Sequence, residues 1–310
     1  MLNMSKKIIK KEKYDVYLND LKYKSKRNIK KEYANWMHPT YAAMFDKVSF
    51  DSLEYRIYDC VKYDGITLDL SNMDLVDVPL DKIPPDLKAR IQHLFIQDNE
   101  ILNIEDLSEF KCLEVLDISH NKIKYIPKLP NTVIEINCKQ NKIVKLPPKN
   151  ECPNLKLCNC EDNKITIIPS YDKLKTILCA NNEITEIDGL NCETISCMNN
   201  KIVSITKCFN LTYLDCSNNP LKTLNNTNKL IDLIMNSTEM EILPDFKELK
   251  YLELFNTKIQ WIKYIDTLED LFIHRECTKE ISSLYKAEKN IEAKMYKKNL
   301  IHFIFKIKNT

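Results

Sequence analysis

Apolar residues recur in this chain with a period near twenty, and each recurrence keeps one internal order, LxxLxLxxNxIxxIP. The line reads LEVLDISHNKIKYIP from Leu113 to Pro127, VIEINCKQNKIVKLP from Val133 to Pro147, and LKLCNCEDNKITIIP from Leu155 to Pro169. Aligned on its asparagine, it occurs eleven times between Gly65 and Ile281, with gaps of 18 to 26 residues. The anchors are Met73, Asn99, Asn121, Asn141, Asn163, Asn182, Asn200, Asn219, Thr238, Thr257 and Glu276. Three places before them stand Leu70, Ile96, Ile118, Cys138, Cys160, Cys179, Cys197, Cys216, Met235, Leu254 and Ile273, a column that no charge interrupts. Alternation in the LxL core predicts a short strand with every second side chain turned inward. A unit of this size cannot bury its apolar face alone, so the units must stack, pairing their strands into one parallel sheet along a curved solenoid.

The anchor asparagine turns inward after the strand, where its amide is expected to satisfy backbone groups of its own turn and of the neighbouring coil. Prolines follow the last apolar column at Pro79, Pro127, Pro147, Pro169 and Pro244. They predict extended or irregular convex segments rather than helices.

Helical spacing marks the ends. Before the repeats it groups Tyr14, Tyr17, Leu18 and Leu21, then Tyr41, Met44, Phe45 and Val48, then Leu53, Ile57, Cys60 and Val61. After them, Leu284, Ala287, Ile291 and Met295 predict a Lys-rich helix, and the apolar run of residues 300–307 is expected to fold back on it. The organisation is a helical cap region (1–64), a solenoid (65–281) and a helical cap (282–310), the caps shielding the open ends of the stack.

These motifs resemble leucine-rich repeats directly. The short lines with a leucine-proline ending are similar to bacterial effector repeats, and the 22-residue lines to those of phosphatase-regulating proteins. The resemblance implies an α/β solenoid: a horseshoe with a parallel concave sheet, a short irregular or 3-10 convex side, and caps at both ends. It implies a binding module and says little about the ligand. Related bacterial effectors carry a cysteine-based ubiquitin ligase domain, for which about 30 residues after the last repeat leave no room. Heavy use of Lys, Asn and Ile suits an AT-rich genome, such as those of giant DNA viruses, protists or low-GC bacteria.

Composition narrows the chemistry. With only Gly65 and Gly189, the chain has no material for a glycine-rich phosphate loop. The histidines His38, His93, His120, His274 and His302 are scattered, and no nucleophile joins His93 and His120, so no catalytic residue, cofactor or metal site is assigned. Residues 1–31 carry 11 Lys or Arg against 3 acids, and residues 279–310 carry 8 against 3. Such ends could meet nucleic acid or anionic lipid, although without interleaved aromatics they read first as solvated cap faces.

Twelve cysteines include a buried ladder, Cys138, Cys160, Cys179, Cys197 and Cys216. In-register strands lie about 4.8 Å apart, while a disulfide needs Cβ atoms about 3.8 Å apart. The ladder is therefore read as apolar core in a reducing compartment. With neither a signal peptide nor a stretch of about 20 apolar residues, the expected location is cytoplasmic, the host cytoplasm if the chain is viral or an effector.

Positions six, four and two before each anchor point out of the concave face. Toward the C-terminal end these become Tyr213, Asp215, Asp232, Ile234, Tyr251, Glu253, Phe255, Asp270, Phe272 and His274. Aromatics ringed by carboxylates have the composition of a protein-binding hot spot, suited to a basic or apolar protein surface. The alternative is that the C-terminal cap buries these rings. Two further roles stay open: an adaptor coupling a target to host ubiquitin or phosphatase machinery through residues 1–60, and binding through the basic ends.

Overall fold

The computed structural model describes residues 52–63, 65–259, 265, 267–274, 291–296 and 302–307. Eleven short strands run parallel in one sheet: β1 (Thr67–Asp69), β2 (His93–Phe95), β3 (Val115–Asp117), β4 (Glu135–Asn137), β5 (Leu157–Asn159), β6 (Thr176–Leu178), β8 (Thr194–Ser196), β10 (Tyr213–Asp215), β12 (Asp232–Ile234), β13 (Tyr251–Leu254) and β14 (Asp270–His274). One strand precedes each of the eleven anchors, in unbroken register from Thr67↔His93 to Tyr251↔Asp270. The predicted solenoid with a parallel concave sheet is the architecture observed.

Its core is the column three before the anchor, buried to 2% exposure or less from Leu70 to Leu254, together with the strand centres such as Leu116, Ile136 and Ile177. The anchors join one coil to the next. Asn163 Nδ2 donates to Cys160 O (3.2 Å) and Glu161 O (3.0 Å) of its own coil and to Cys138 O (2.9 Å) of the preceding one, while its Oδ1 accepts from Ile143 N at 2.9 Å. The set recurs at Asn99, Asn121, Asn141, Asn182, Asn200 and Asn219. At Thr238 the hydroxyl supplies one of these bonds, to Met235 O at 3.1 Å. The residue before the anchor takes a left-handed φ of 52° to 57°, and it is Asn72, Asp98, His120, Gln140, Asp162, Asn181, Asn199, Asn218, Ser237 or Asn256. Asn, Asp and His tolerate that region better than other side chains. Four of them form an exposed hydrogen-bonded chain: Asn218 donates to Asn199, Asn199 to Asn181, and Asn181 to Asp162, at 2.6 to 2.8 Å.

The five ladder cysteines lie in the core column, each fully buried, and all eleven described cysteines are free thiols. Hydrogen bonding with Cys158, together with burial, pushes the Cys138 and Cys160 thiols well above their usual range.

The far leg of most described coils follows the expected irregular or 3-10 path, and three coils depart from it. β7 (Glu186–Asp188), β9 (Ser204–Thr206) and β11 (Thr223–Leu224) form a second, three-stranded parallel sheet. These three coils are consecutive, and six places after the anchor they carry Asp188, Thr206 and Asn225 where five other coils carry proline. Asn225 N donates from that position to Ile205 O at 3.0 Å. Proline has no N–H to give there, so the ladder is confined to the coils that lack it.

At the N-terminal side, α1 (Leu53–Tyr63) buries Leu53 and Cys60 against the core, with Ile57 partly buried beside them. Gly65, at φ +68°, closes the helix through its N–H to Cys60 O (2.8 Å). Val61, expected on the inner face, is 55% exposed, and Tyr55 on the other side is buried. Arg56 fastens α1 to β1, donating from Nη2 to Ser71 O (3.2 Å) and standing 3.8 Å from Asp69 Oδ2. A 3-10 turn (Leu80–Lys82) and the one-turn helix α2 (Pro85–Lys88) fill the longest repeat. The two earlier helical stretches, Tyr14 to Leu21 and Tyr41 to Val48, lie outside the described residues.

The C-terminal helix is corrected. Residues expected to continue it to Met295 form β15 (Ile291–Tyr296), which pairs antiparallel with β16 (His302–Ile307), and β16 pairs antiparallel with β14. Ile291, Ala293 and Met295 also alternate with Glu292, Lys294 and Tyr296, so the segment satisfies period 2 as well as helical spacing. The open N–H and C=O groups of the last parallel strand decide in favour of the hairpin. Residues 302–307 of the apolar run thus fold back as a strand, and the sheet extends to thirteen strands.

Candidate functional site

Strict register turns the outward residues of the last four parallel strands into straight rows. Six places before the anchors, Tyr213, Asp232, Tyr251 and Asp270 are direct neighbours across β10, β12, β13 and β14. Four places before, the row is Asp215, Ile234, Glu253 and Phe272. The first row alternates a tall ring with a short carboxylate, and the second mixes carboxylates with apolar side chains. In the third row stand Ser217, Asn236, Phe255 and His274, the last of which ends β14. Four carboxylates and no Lys or Arg occupy these twelve positions.

Tyr251 and Phe272 pack with ring centroids 5.1 Å apart, tilted by 39°. Tyr251 Oη donates to Glu253 Oε2 at 2.8 Å, and Asn236 Nδ2 donates to Glu253 Oε1 at 2.7 Å. Asn236 Oδ1 accepts from Phe255 N at 2.7 Å. Asn236 is therefore the residue that fixes Glu253 and, through it, the Tyr251 ring. Sequence alternation places Asn236 on this face without marking its organising role.

Exposure grades across the rows. Asp215 and Ser217 are buried, whereas Tyr213, Asp232, Ile234, Tyr251, Glu253, Phe255, Asp270 and Phe272 are half-buried. Burial raises both tyrosine hydroxyls well above the ordinary phenol range, and nearby carboxylates add to it: Asp215, Asp232 and Glu253 for Tyr213, and Glu253 and Asp270 for Tyr251. The phenols therefore stay neutral. β16 joins β14 edge to edge, with Ile304 opposite Phe272 in the register. That pairing sets residues 302–307 beside the rows in the sheet.

The opposite end of the concave face spends its polar groups internally. Asp117 Oδ1 accepts from Ser119 N (2.9 Å) and Oγ (2.6 Å), and its Oδ2 accepts from Asn137 Nδ2 (2.8 Å). Lys139 Nζ meets Glu161 Oε2 at 2.8 Å. His93 shares a hydrogen bond with Thr67 (3.2 Å), whereas His120 stands 3.9 Å from Asp98. Among the described residues no group of three or more His, Cys, Asp or Glu is arranged to hold a metal. No helix among them is long and apolar enough to cross a membrane.

Comparison with known proteins agrees with this geometry. The family model described as Leucine Rich Repeat matches residues 210–246, which include β10 and β12. Over 115 residues the chain is 26% identical to the "Protein phosphatase 1 regulatory inhibitor subunit PPP1R7 homolog" of Arabidopsis thaliana, a match covering 34% of this chain and only 35% of that relative. Among solved structures, the leucine-rich repeat domain of APL1B aligns with a TM-score of 0.51 at 15% identity, covering 77% of this chain and 69% of that one. YopM from Yersinia enterocolitica WA-314 aligns with a TM-score of 0.44 at 18% identity, covering 71% of this chain and 62% of that one. At these identities the likeness is one of fold.

Proposed function

We propose that this leucine-rich-repeat solenoid is a non-enzymatic protein-interaction module that docks its partner on the concave face of β10, β12, β13 and β14. The observation that carries the reading is the pair of in-register rows, the first alternating half-buried Tyr213 and Tyr251 with Asp232 and Asp270, the second setting Ile234 and Phe272 beside Asp215 and Glu253. Rigid aromatics supply contact area at low entropic cost, and a negative rim favours a partner that presents basic residues beside apolar ones. Free thiols throughout the described core suit a cytoplasmic setting.

The test is affinity capture from cytosol with wild type beside a Tyr251→Ser, Phe255→Ser, Phe272→Ser variant checked for retained folding. A partner recovered by wild type and reduced on the order of tenfold or more by the variant, the scale of losing a hot spot, supports the reading. Equal recovery by both moves the interface elsewhere. A second reading, an adaptor for phosphatase machinery, is favoured by the stretch similar to the phosphatase regulatory subunit homolog. Recovery of a phosphatase catalytic subunit by both proteins would select it.

A further inference from the structure

We propose that the leg following the anchors in three consecutive coils, those of Asn121, Asn141 and Asn163, binds an acidic amphipathic helix of a protein partner laid along the solenoid axis. This surface is separate from the concave rows and does not depend on them. One place after the anchors stand Lys122, Lys142 and Lys164, all exposed. The backbone sets these coils side by side: Lys142 N donates to Ile123 O and Lys164 N to Ile143 O, both at 2.9 Å, and Val144 N to Lys124 O at 3.4 Å. Lys124 and Lys145 add two more exposed cations, three and four places after their anchors. From one to four places after the anchor, none of the three coils carries Asp or Glu.

Elsewhere the solenoid neutralises lysines from a neighbouring coil, as Lys175 with Glu193 (3.2 Å), Lys201 with Glu183 (2.9 Å) and Lys250 with Glu269 (3.0 Å). Here Glu100 pairs with Lys122 from the flanking coil, but among the described residues no carboxylate is ion-paired with Lys142, Lys145 or Lys164. Like charges directly opposite on hydrogen-bonded neighbours repel, so the free chain carries a repulsion that a bound anion relieves. Apolar groups lie beside the cations: four places after the anchors, Tyr125 is 55% exposed and Ile167 71%. The charged and apolar columns are three residues apart, at most about 10 Å of chain, and a helix with its side chains is about 10–12 Å across. Acidic residues four apart on a helix stand about 5–6 Å from each other, in step with coils about 4.8 Å apart, whereas same-side residues of an extended peptide lie about 6.8 Å apart. A single nucleic-acid strand is held by stacking on several rings, and these coils offer the one ring of Tyr125 beside aliphatic Val144 and Ile167.

The probe is a labelled peptide of four Glu-Ala-Ala-Leu units, titrated into the full chain by fluorescence anisotropy at 0.05 and 0.15 M salt. It is expected to bind, and more tightly at the lower salt. Lys142→Glu with Lys164→Glu should weaken binding about tenfold, the scale of losing two exposed ion pairs, and Ile167→Ser about threefold. Lys111→Glu with Lys229→Glu, the same charge change at exposed positions outside these coils, should leave it unchanged. Equal weakening by both pairs of substitutions would leave only diffuse charge attraction and overturn the proposal. So would undiminished binding of a peptide with proline in place of its central alanines, since that chain cannot stay helical. Tighter binding of a strand of twelve thymidines, lost in the Lys142→Glu, Lys164→Glu variant, would give the surface to nucleic acid instead. Absence of binding by the acidic peptide at either salt concentration would also overturn the proposal.

Discussion

Each inward asparagine is a clamp between two coils. At Asn200 the amide donates to Cys197 O and Met198 O at home and to Cys179 O next door, while its oxygen holds the Ile184 N–H at 3.0 Å. Asn200→Ala would leave a buried N–H and two buried carbonyls short of a partner. A loss on the order of 2–4 kcal/mol is expected, given about 1–3 kcal/mol for each stranded group, readable as a lower urea midpoint; an unshifted midpoint would show that water replaces the amide. The outward asparagines before the anchors answer a different need, the left-handed turn. The sequence pattern distinguishes the two because one column is Asn in seven consecutive coils, from Asn99 to Asn219, while the other admits His120 and Gln140 within that stretch. What a column cannot reveal is a role set by a neighbour: Asn236 matters because Glu253 and Phe255 N lie within reach of its two ends.

Among the elements, strands were readable and their partners less so. The eleven parallel strands follow from alternation and stacking alone, since a one-residue slip would turn every Leu116-like centre outward. The second sheet is written in the same lines, but as an absence: Asp188, Thr206 and Asn225 stand where proline stands elsewhere. The C-terminal hairpin was not separable from a helix by spacing, because Ile291 and Met295 satisfy both periods, and what selects the strand is the edge of β14, a tertiary fact. Truncation before residue 291 should therefore expose that edge and produce concentration-dependent association in light scattering. A truncated chain that stays monomeric across the range where wild type is monomeric would show the edge to be protected in another way.

Over the whole molecule, the core is unusual in its thiols, ten of the eleven described cysteines being buried. Burial raises Cys152 and Cys192 to about 12 and Cys208 to about 11. Unfolded thiols ionise near pH 8.5, so above that value the folded chain holds more protons than the unfolded one and stability falls as pH rises. The slope approaches about 1.4 kcal/mol per pH unit for each such thiol until its folded value is reached. Urea midpoints measured from pH 7.5 to 10.5 should drop steeply above about pH 8.5, and a Cys152→Val, Cys192→Val variant should drop less; parallel curves would contradict the linkage. The architecture was legible because it is a sum of equal local rules. The face it presents was legible only as a set of outward positions, since its chemistry depends on which rows adjoin. The clamps reach no further than the coil before them, and from Asn200 to Glu276 the anchors are spaced by a constant 19 residues. Any slip of recombination by one such interval would add or delete a coil in frame with every bond re-formed at the splice. Natural variants of the gene could thus lengthen or shorten this stretch one rung at a time, carrying the aromatic rows along the sheet as a movable block rather than rebuilding them.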